Sequence, residues 1–454
     1  MIASEVKQSH ALAEPCCSGF NGGMFRALAP LALLAALPAA AQTPVESKMA
    51  STITAETDRH VALLEKLVNQ NSGSLNIDGV TKVGQMVRAE LEPLGFAVEW
   101  IDMKETGRAG HLVATHKGNG KGKRILLIAH LDTVFEPESP FQTFVRTGDR
   151  ATGPGIGDDK GGIVVIIAAM RAMQAAGTLR SADIKIVLTG DEERTGAPME
   201  IARRDLIAAG KWADVALEYE NLAREDGKDL GTVARRSSVN WTLRTTGKTG
   251  HSSGVFGASL GYGAAYELAR ILDEFRRTLP EQNLTFNVGV MAAGTPATLA
   301  ENNYQVSAGG KTNIVAAEAI ARGDLRALTP EQEAKTRAAM TAIVARNLPG
   351  TTATIDFQEG YPPMAPTDGN RALLAKLNAV NRDLKLPEMA EIDPARRGAA
   401  DSAFVAADVD TLAGLGVAGG GAHAEGEWID LTSIPLQALR SAVFITRLSR
   451  EKRD

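Results

Sequence analysis

The chain has 454 residues, of which 44% are hydrophobic and 23% charged, with a formal net charge of −5. That is the composition of an ordinary soluble globular protein. Its mild acidity gives no sign of a nucleic-acid partner or of electrostatic attachment to a membrane surface. By the soft rule of roughly 150 residues per domain, two or three domains are expected.

Met24-Phe25-Arg26 followed by the apolar run 27–37 reads as the start of a secretory signal, and Ala39-Ala40-Ala41 before Gln42 supplies a small-residue cleavage site. The run is too short for a bilayer, which needs about 20 residues. The sequence therefore predicts export to the periplasm or beyond, with residues 1–41 removed, Met24 a candidate true start and no membrane attachment in the mature form. Both cysteines, Cys16 and Cys17, precede the cut. Any metal in the mature chain must then rest on nitrogen and oxygen ligands.

Helical spacing at 61–68 and 80–94 is followed by strand-like runs at 96–101, 112–116 and 124–129. Residues 163–173 form a nearly all-apolar helix, 184–188 a buried strand, 199–208 a helix and 215–219 another strand. This is the alternation of an α/β domain, a sheet with helices on both faces. Near residue 232 the pattern changes. A strand at 239–245, a helix at 260–275, strands at 284–291 and 313–322, a helix at 330–346 and a strand at 352–357 read as a compact α+β unit. After Pro362-Pro363 the first rhythm resumes. The expected organisation is one α/β domain, 42–235 and 359–454, interrupted by a smaller domain at 236–358.

Five signals fall where strands end or helices begin. The apolar run from Ile125 ends in His130-Leu-Asp132. Asp158-Asp159 lies in a glycine-rich stretch before a helix, Glu192-Glu193 follows Gly190-Asp191, and Glu220 ends the next strand. His423 sits in Gly419-Gly-Gly-Ala-His. Singly each is weak: a histidine beside an aspartate is usually structural, and an aspartate before a helix usually caps it. Together they fall at the carboxyl ends of strands, where open α/β folds gather ligands. Three carboxylates against two divalent cations leave one positive charge, which a bridging hydroxide would neutralise. Imidazole and carboxylate ligands suit zinc best, with manganese and cobalt as alternatives.

With these residues, and most specifically Gly153-Pro-Gly-Ile-Gly-Asp158-Asp-Lys-Gly-Gly162, the sequence resembles the co-catalytic zinc metallopeptidase and amidohydrolase family. That family includes glutamate carboxypeptidase (carboxypeptidase G), aminoacylase and succinyl-diaminopimelate desuccinylase, and the resemblance is closest to the first. It implies a zinc-exopeptidase-like catalytic domain, a mixed sheet with helices on both faces, interrupted by a ferredoxin-like α+β dimerisation domain. It implies two zinc ions per subunit: His130 and Glu220 on one, Glu193 and His423 on the other, Asp158 bridging. Asp132 would orient His130, Glu192 would be the general base, and His251, from the partner of a homodimer, would reach the active site. Asn313 and Arg326 would hold the carboxylate of a peptide or N-acyl amino acid substrate. Two departures, Ala400 in Gly398-Ala-Ala-Asp401 and Asn221 after Glu220, fall near the expected substrate pocket. Alternatives are an aminoacylase or dipeptidase with another side-chain preference, and an exported binding protein that has lost catalysis.

Overall fold

The computed structural model describes residues 43–453; the expected signal segment and both cysteines lie outside them. The main sheet has six strands, in the order Ala97–Asp102, Gly110–His116, Asp183–Thr189, Arg124–His130, Val215–Glu218 and Thr411–Leu412. The first two pairings are antiparallel and the other three parallel, so the sheet is mixed. Its central strand shows why both faces must be covered. Ile125, Leu127 and Ala129 join one apolar core, while Leu126 and Ile128 join another on the opposite face, as side-chain alternation along a strand requires. The first core is completed by Pro44–Ala55, Ile77–Leu91, Gly162–Ala175 and Ser433–Leu448. The second is completed by Arg204–Trp212.

Residues 239–357 build a second, five-stranded sheet with its own core. With the broken strand Thr285–Phe286 and Val290–Gly294 counted as one, and the separate hairpin Ala297–Leu299/Val306–Ala308 set aside, its elements run strand, helix, two strands, helix, strand, the ferredoxin-like order. Val239–Gly247 pairs antiparallel with both Glu318–Arg326 and Thr351–Phe357. Helices Ala264–Thr278 and Pro330–Val344 pack over Trp241, Leu243, Ala319 and Ala321. The chain enters and leaves this unit side by side: Arg235 pairs with Met364 and Ser238 with Tyr361.

Several element bounds differ from the sequence expectation. The helix expected from residue 260 begins at Ala264, because Gly261 and Gly263 adopt positive φ. The strand expected from Asn313 begins at Glu318, which leaves Asn313 in a loop. The helix expected at 199–208 breaks at Arg203 into Met199–Ala202 and Arg204–Trp212, and Arg203 turns its side chain into a buried ion-pair network. The run at 284–291 is split between Thr285–Phe286 and Val290–Gly294. Among the described residues no helix is long and apolar enough to cross a membrane.

Candidate metal centre

Three parallel neighbours in the main sheet bring their carboxyl ends together. Strand Arg124–His130 ends in His130, Asp183–Thr189 leads into Glu192 and Glu193, and Val215–Glu218 leads into Glu220. Asp158 comes from the irregular turn Ile156–Gly161, ahead of helix Gly162–Ala175. His423 comes from the loop between Gly419–Gly420 and Trp428–Asp430, and the second of these strands pairs with Arg150–Thr152, just upstream of that turn. Five separate stretches of chain thus meet at one point.

Asp158 is the hub. Its Oδ1 faces His130 Nε2 at 3.0 Å and its Oδ2 faces His423 Nε2 at 3.2 Å. His423 Nε2 is also 3.0 Å from Glu193 Oε2. Ligand-capable atoms of His130, Asp158 and Glu220 lie within 4.8 Å of one another, as do those of Asp158, Glu193 and His423, and those of His130, Glu192 and Glu193. Two groups that share Asp158 have the layout of a paired-cation site.

The electrostatics point the same way. Burial opposes charge on His130, but hydrogen bonds to Asp132 and Asp158 outweigh it and hold its pKa well above the usual histidine value. Hydrogen bonds to Asp158 and Glu193 raise His423 to about 10. Burial would raise Asp158, yet the two imidazoles hold it far below the usual carboxylate range. Burial and the neighbouring acids Glu220 and Glu193 push Glu192 well up, against the pull of His130. Glu220 rises to about 7 through burial and repulsion from Glu218 and Asp158, partly offset by Arg235. Carboxylates are crowded here, and imidazoles are drawn to carry protons between them. That is the donor set and charge deficit a pair of divalent cations would satisfy, so the residues fit such a metal pair.

Asp132 is placed somewhat differently from the expected orienting role. His130 Nδ1 lies 3.1 Å from the Asp132 main-chain oxygen and 3.5 Å from its carboxylate. The carboxylate oxygens are instead engaged by the main-chain N–H groups of Glu192 and Glu193, at 3.0 and 3.1 Å, and by Ser74 Oγ at 2.5 Å. Its main work is to shape the Glu192–Glu193 turn, while the backbone carbonyl helps to set the ring.

The three remaining expected residues lie on the inserted unit, outside the cluster. His251 is exposed and bonded through Nδ1 to Ser253. Asn313 is exposed, and its carbonyl accepts from Ser252 N–H. Arg326 ends strand Glu318–Arg326 and donates to Asp324 at 2.8 Å.

Sequence reasoning missed several residues of the site's surroundings. Buried Arg235 bonds both Glu218 and Glu220 at 2.6 Å. Buried Glu427 accepts three main-chain N–H bonds, from Gly155, Gly157 and Asp158, and so fastens the turn that carries Asp158. Arg203 binds Asp191 and Asp401 and donates to Tyr361, whose hydroxyl in turn donates to the Glu192 carbonyl at 2.7 Å. Burial and repulsion from Arg235 lower Arg397, near Glu220, to about 10. The one available signal was Arg235-Arg236 inside an otherwise uncharged run at the crossing between domains.

A mixed sheet whose strand ends present this cluster defines a metal-dependent hydrolase. The family model described as peptidase family M20/M25/M40 matches residues 126–445, and the chain belongs to that family. Carboxypeptidase G2 of Pseudomonas sp. (strain RS-16) is 28% identical over 415 residues, which cover 88% of this chain and 92% of that protein. The aminopeptidase PepT of Bacillus cereus ATCC 10987 matches in structure with a TM-score of 0.69 at 19% identity, over 87% of this chain and 99% of that one. The YXEP protein of Bacillus subtilis, a dinuclear metal binding peptidase, matches with a TM-score of 0.59 at 15% identity, over 87% and 99%. The fold expected from the resemblance is the fold of this chain.

Proposed function

We propose that the protein is an exported two-zinc hydrolase that cleaves the amide bond to a C-terminal amino acid, in the manner of a glutamate carboxypeptidase acting on N-acyl or folate-type substrates. The observation that carries this reading is the convergence of His130, Glu193, Glu220 and His423 on Asp158, with Glu192 beside them. His130, Asp158 and Glu220 would hold one ion, and Asp158, Glu193 and His423 the other. When bound, such a pair activates water and polarises a carbonyl. Glu192 takes the proton from the attacking water and delivers it to the leaving nitrogen, the work of a general acid–base carboxylate. Its backbone is held on both sides, N–H by Asp132 and C=O by Tyr361, which fixes the turn that carries it.

His251 of a second subunit is the candidate to stabilise the oxyanion, and Asn313 and Arg326 of the inserted unit are candidates to meet the substrate's carboxylate. Exposed apolar side chains on that unit, Phe256, Tyr266 and Met291, support its pairing with a second copy. Likeness to carboxypeptidase G2 over most of both chains supports the carboxypeptidase reading. Export rests on the sequence pattern of residues 24–42.

The test is hydrolysis of N-acyl amino acids that vary only in the C-terminal residue, with chelator and then with zinc returned. Zinc-restored activity strongest on glutamate is expected. Restored activity that peaks on another residue would keep the chemistry and replace the substrate with that of an aminoacylase or dipeptidase. Turnover unaffected by chelation would remove the metal reading.

A further inference from the structure

The arginine expected to meet the substrate's carboxylate, Arg326, already has a carboxylate partner: its Nε lies 2.8 Å from Asp324. A different arginine stands open beside the metal centre. Arg397 follows the short turn Pro394–Arg396. Its side chain is only 13% exposed, and its buried Nε has no hydrogen-bond partner among the described residues. The carboxylate it faces is Glu220, 3.8 Å from Nη2, outside hydrogen-bond range. That same Glu220 oxygen, Oε2, is served by Arg235 at 2.6 Å.

The loop holding Arg397 is fastened by its neighbours. Arg235 donates to the Gly398 carbonyl at 3.1 Å, and Arg236 to the Ala395 carbonyl at 3.2 Å. The backbone therefore fixes Arg397 in place while its guanidinium, 3.8 Å from Glu220, stays without a hydrogen bond among the described residues. A side chain added at exposed Gly398 would meet nothing within 4 Å, so the turn after Arg397 borders open space. Burying a cation without hydrogen bonds is costly, and a guanidinium presents a planar fork matched to a carboxylate.

We propose that Arg397 is the main domain's anion-binding residue and receives a carboxylate of the amino acid being released, next to the scissile amide. This rests on the reading of the protein as an amidohydrolase of C-terminal amino acids. The carboxylate is either the α-carboxylate or, for an acidic residue, that of the side chain; both present the same fork of oxygens. Arg397 then sets specificity on the main-domain side, in addition to whatever Asn313 and Arg326 of the inserted unit contribute.

The test compares the parent with Arg397→Gln and Arg397→Lys on N-acyl-glutamate, its γ-amide and its α-amide. Loss of a charged hydrogen bond predicts that Arg397→Gln raises KM at least about 10-fold for substrates that keep the bound carboxylate, with kcat little changed. The same substitution should leave the amide that lacks that carboxylate within about 3-fold, which identifies the carboxylate bound. Arg397→Lys should recover part of the loss, and metal content by elemental analysis should match the parent's. Equal losses on all three substrates, or loss of metal in both variants, would overturn the proposal and leave Arg397 as a structural counter-charge to Glu218 and Glu220. Should the parent hydrolyse none of them, the functional reading falls, and calorimetric binding of N-acyl-glutamate to the metal-loaded protein decides the inference separately. Binding weakened at least about 10-fold by Arg397→Gln supports it, and unchanged or absent binding overturns it.

Discussion

In the proposed mechanism Glu192 is the general base, and its surroundings predict what its loss would do. Glu192→Gln keeps the shape and the two peptide hydrogen bonds but removes the proton acceptor. The expected result is a fall in kcat of about 10²–10⁴-fold with metal content unchanged, read by steady-state kinetics beside elemental analysis. Retained activity would reject the base assignment. A second residue makes a prediction away from the site. His60 is 1% exposed, neither ring nitrogen has a hydrogen-bond partner among the described residues, and burial lowers its pKa to about 4 against the pull of Glu56. The folded state therefore prefers the neutral ring, and the unfolded chain binds the extra proton first. Stability from this group is complete above the unfolded pKa near 6.5 and is lost as pH falls toward 4. Between about pH 7.5 and about pH 5 the loss should be roughly 2 kcal/mol. Denaturant midpoints for the parent and His60→Leu check it, since the variant should lose that part of the pH dependence. At this scale the residues that the structure brings together around Asp158 could be read from the sequence, because ligand chemistry limits candidates to a few residue types at strand ends. Arg235, Glu427 and the Arg203–Tyr361 pair could not, because each meets its partner across a long stretch of chain with no local periodicity to announce it.

At the scale of elements, the helix Gly162–Ala175 shows how tightly the site depends on packing. All but three of its residues are buried, and its first turn presses on the end of the neighbouring strand. A Cβ on Gly162 would lie 2.0 Å from the Tyr219 carbonyl and 2.1 Å from Asp159 Oδ1. Gly162→Ala must therefore push the helix away from the residue before Glu220. It should cost about 1–3 kcal/mol of stability and weaken metal retention, as measured by thermal unfolding and by metal content after dialysis. Unchanged values for both would show that this junction yields more than its geometry suggests. The same scale explains which element bounds sequence could supply. The strand from Arg124 and the helix after Gly161 carry long apolar runs whose period or length leaves no choice. The helix start at Ala264 is set by backbone turns at Gly261 and Gly263, and the break at Arg203 by a buried ion network. Neither is visible in a hydrophobic pattern.

For the whole molecule, the crowded acids couple metal binding to stability. Without cations, Asp158, Glu192, Glu193 and Glu220 repel one another at the edge of the main core, and a bound ion stabilises the folded state by mass action. Chelation should lower the melting temperature by several degrees, and returning zinc should restore it; scanning calorimetry gives the answer. An identical melting temperature in both states would argue that these residues hold no ion. The paired crossings at Arg235–Met364 and Ser238–Tyr361 have a further consequence, for how the chain reaches this state. The outer strand Thr411–Leu412 must find Val215–Glu218 across about 190 residues, and the two crossings, once joined, shorten that path by about 120, lowering the loop-closure cost by roughly 1 kcal/mol. The interruption in the main domain is therefore no obstacle to completing its sheet: the inserted unit, by knotting its own ends together, draws the two distant halves within reach of each other.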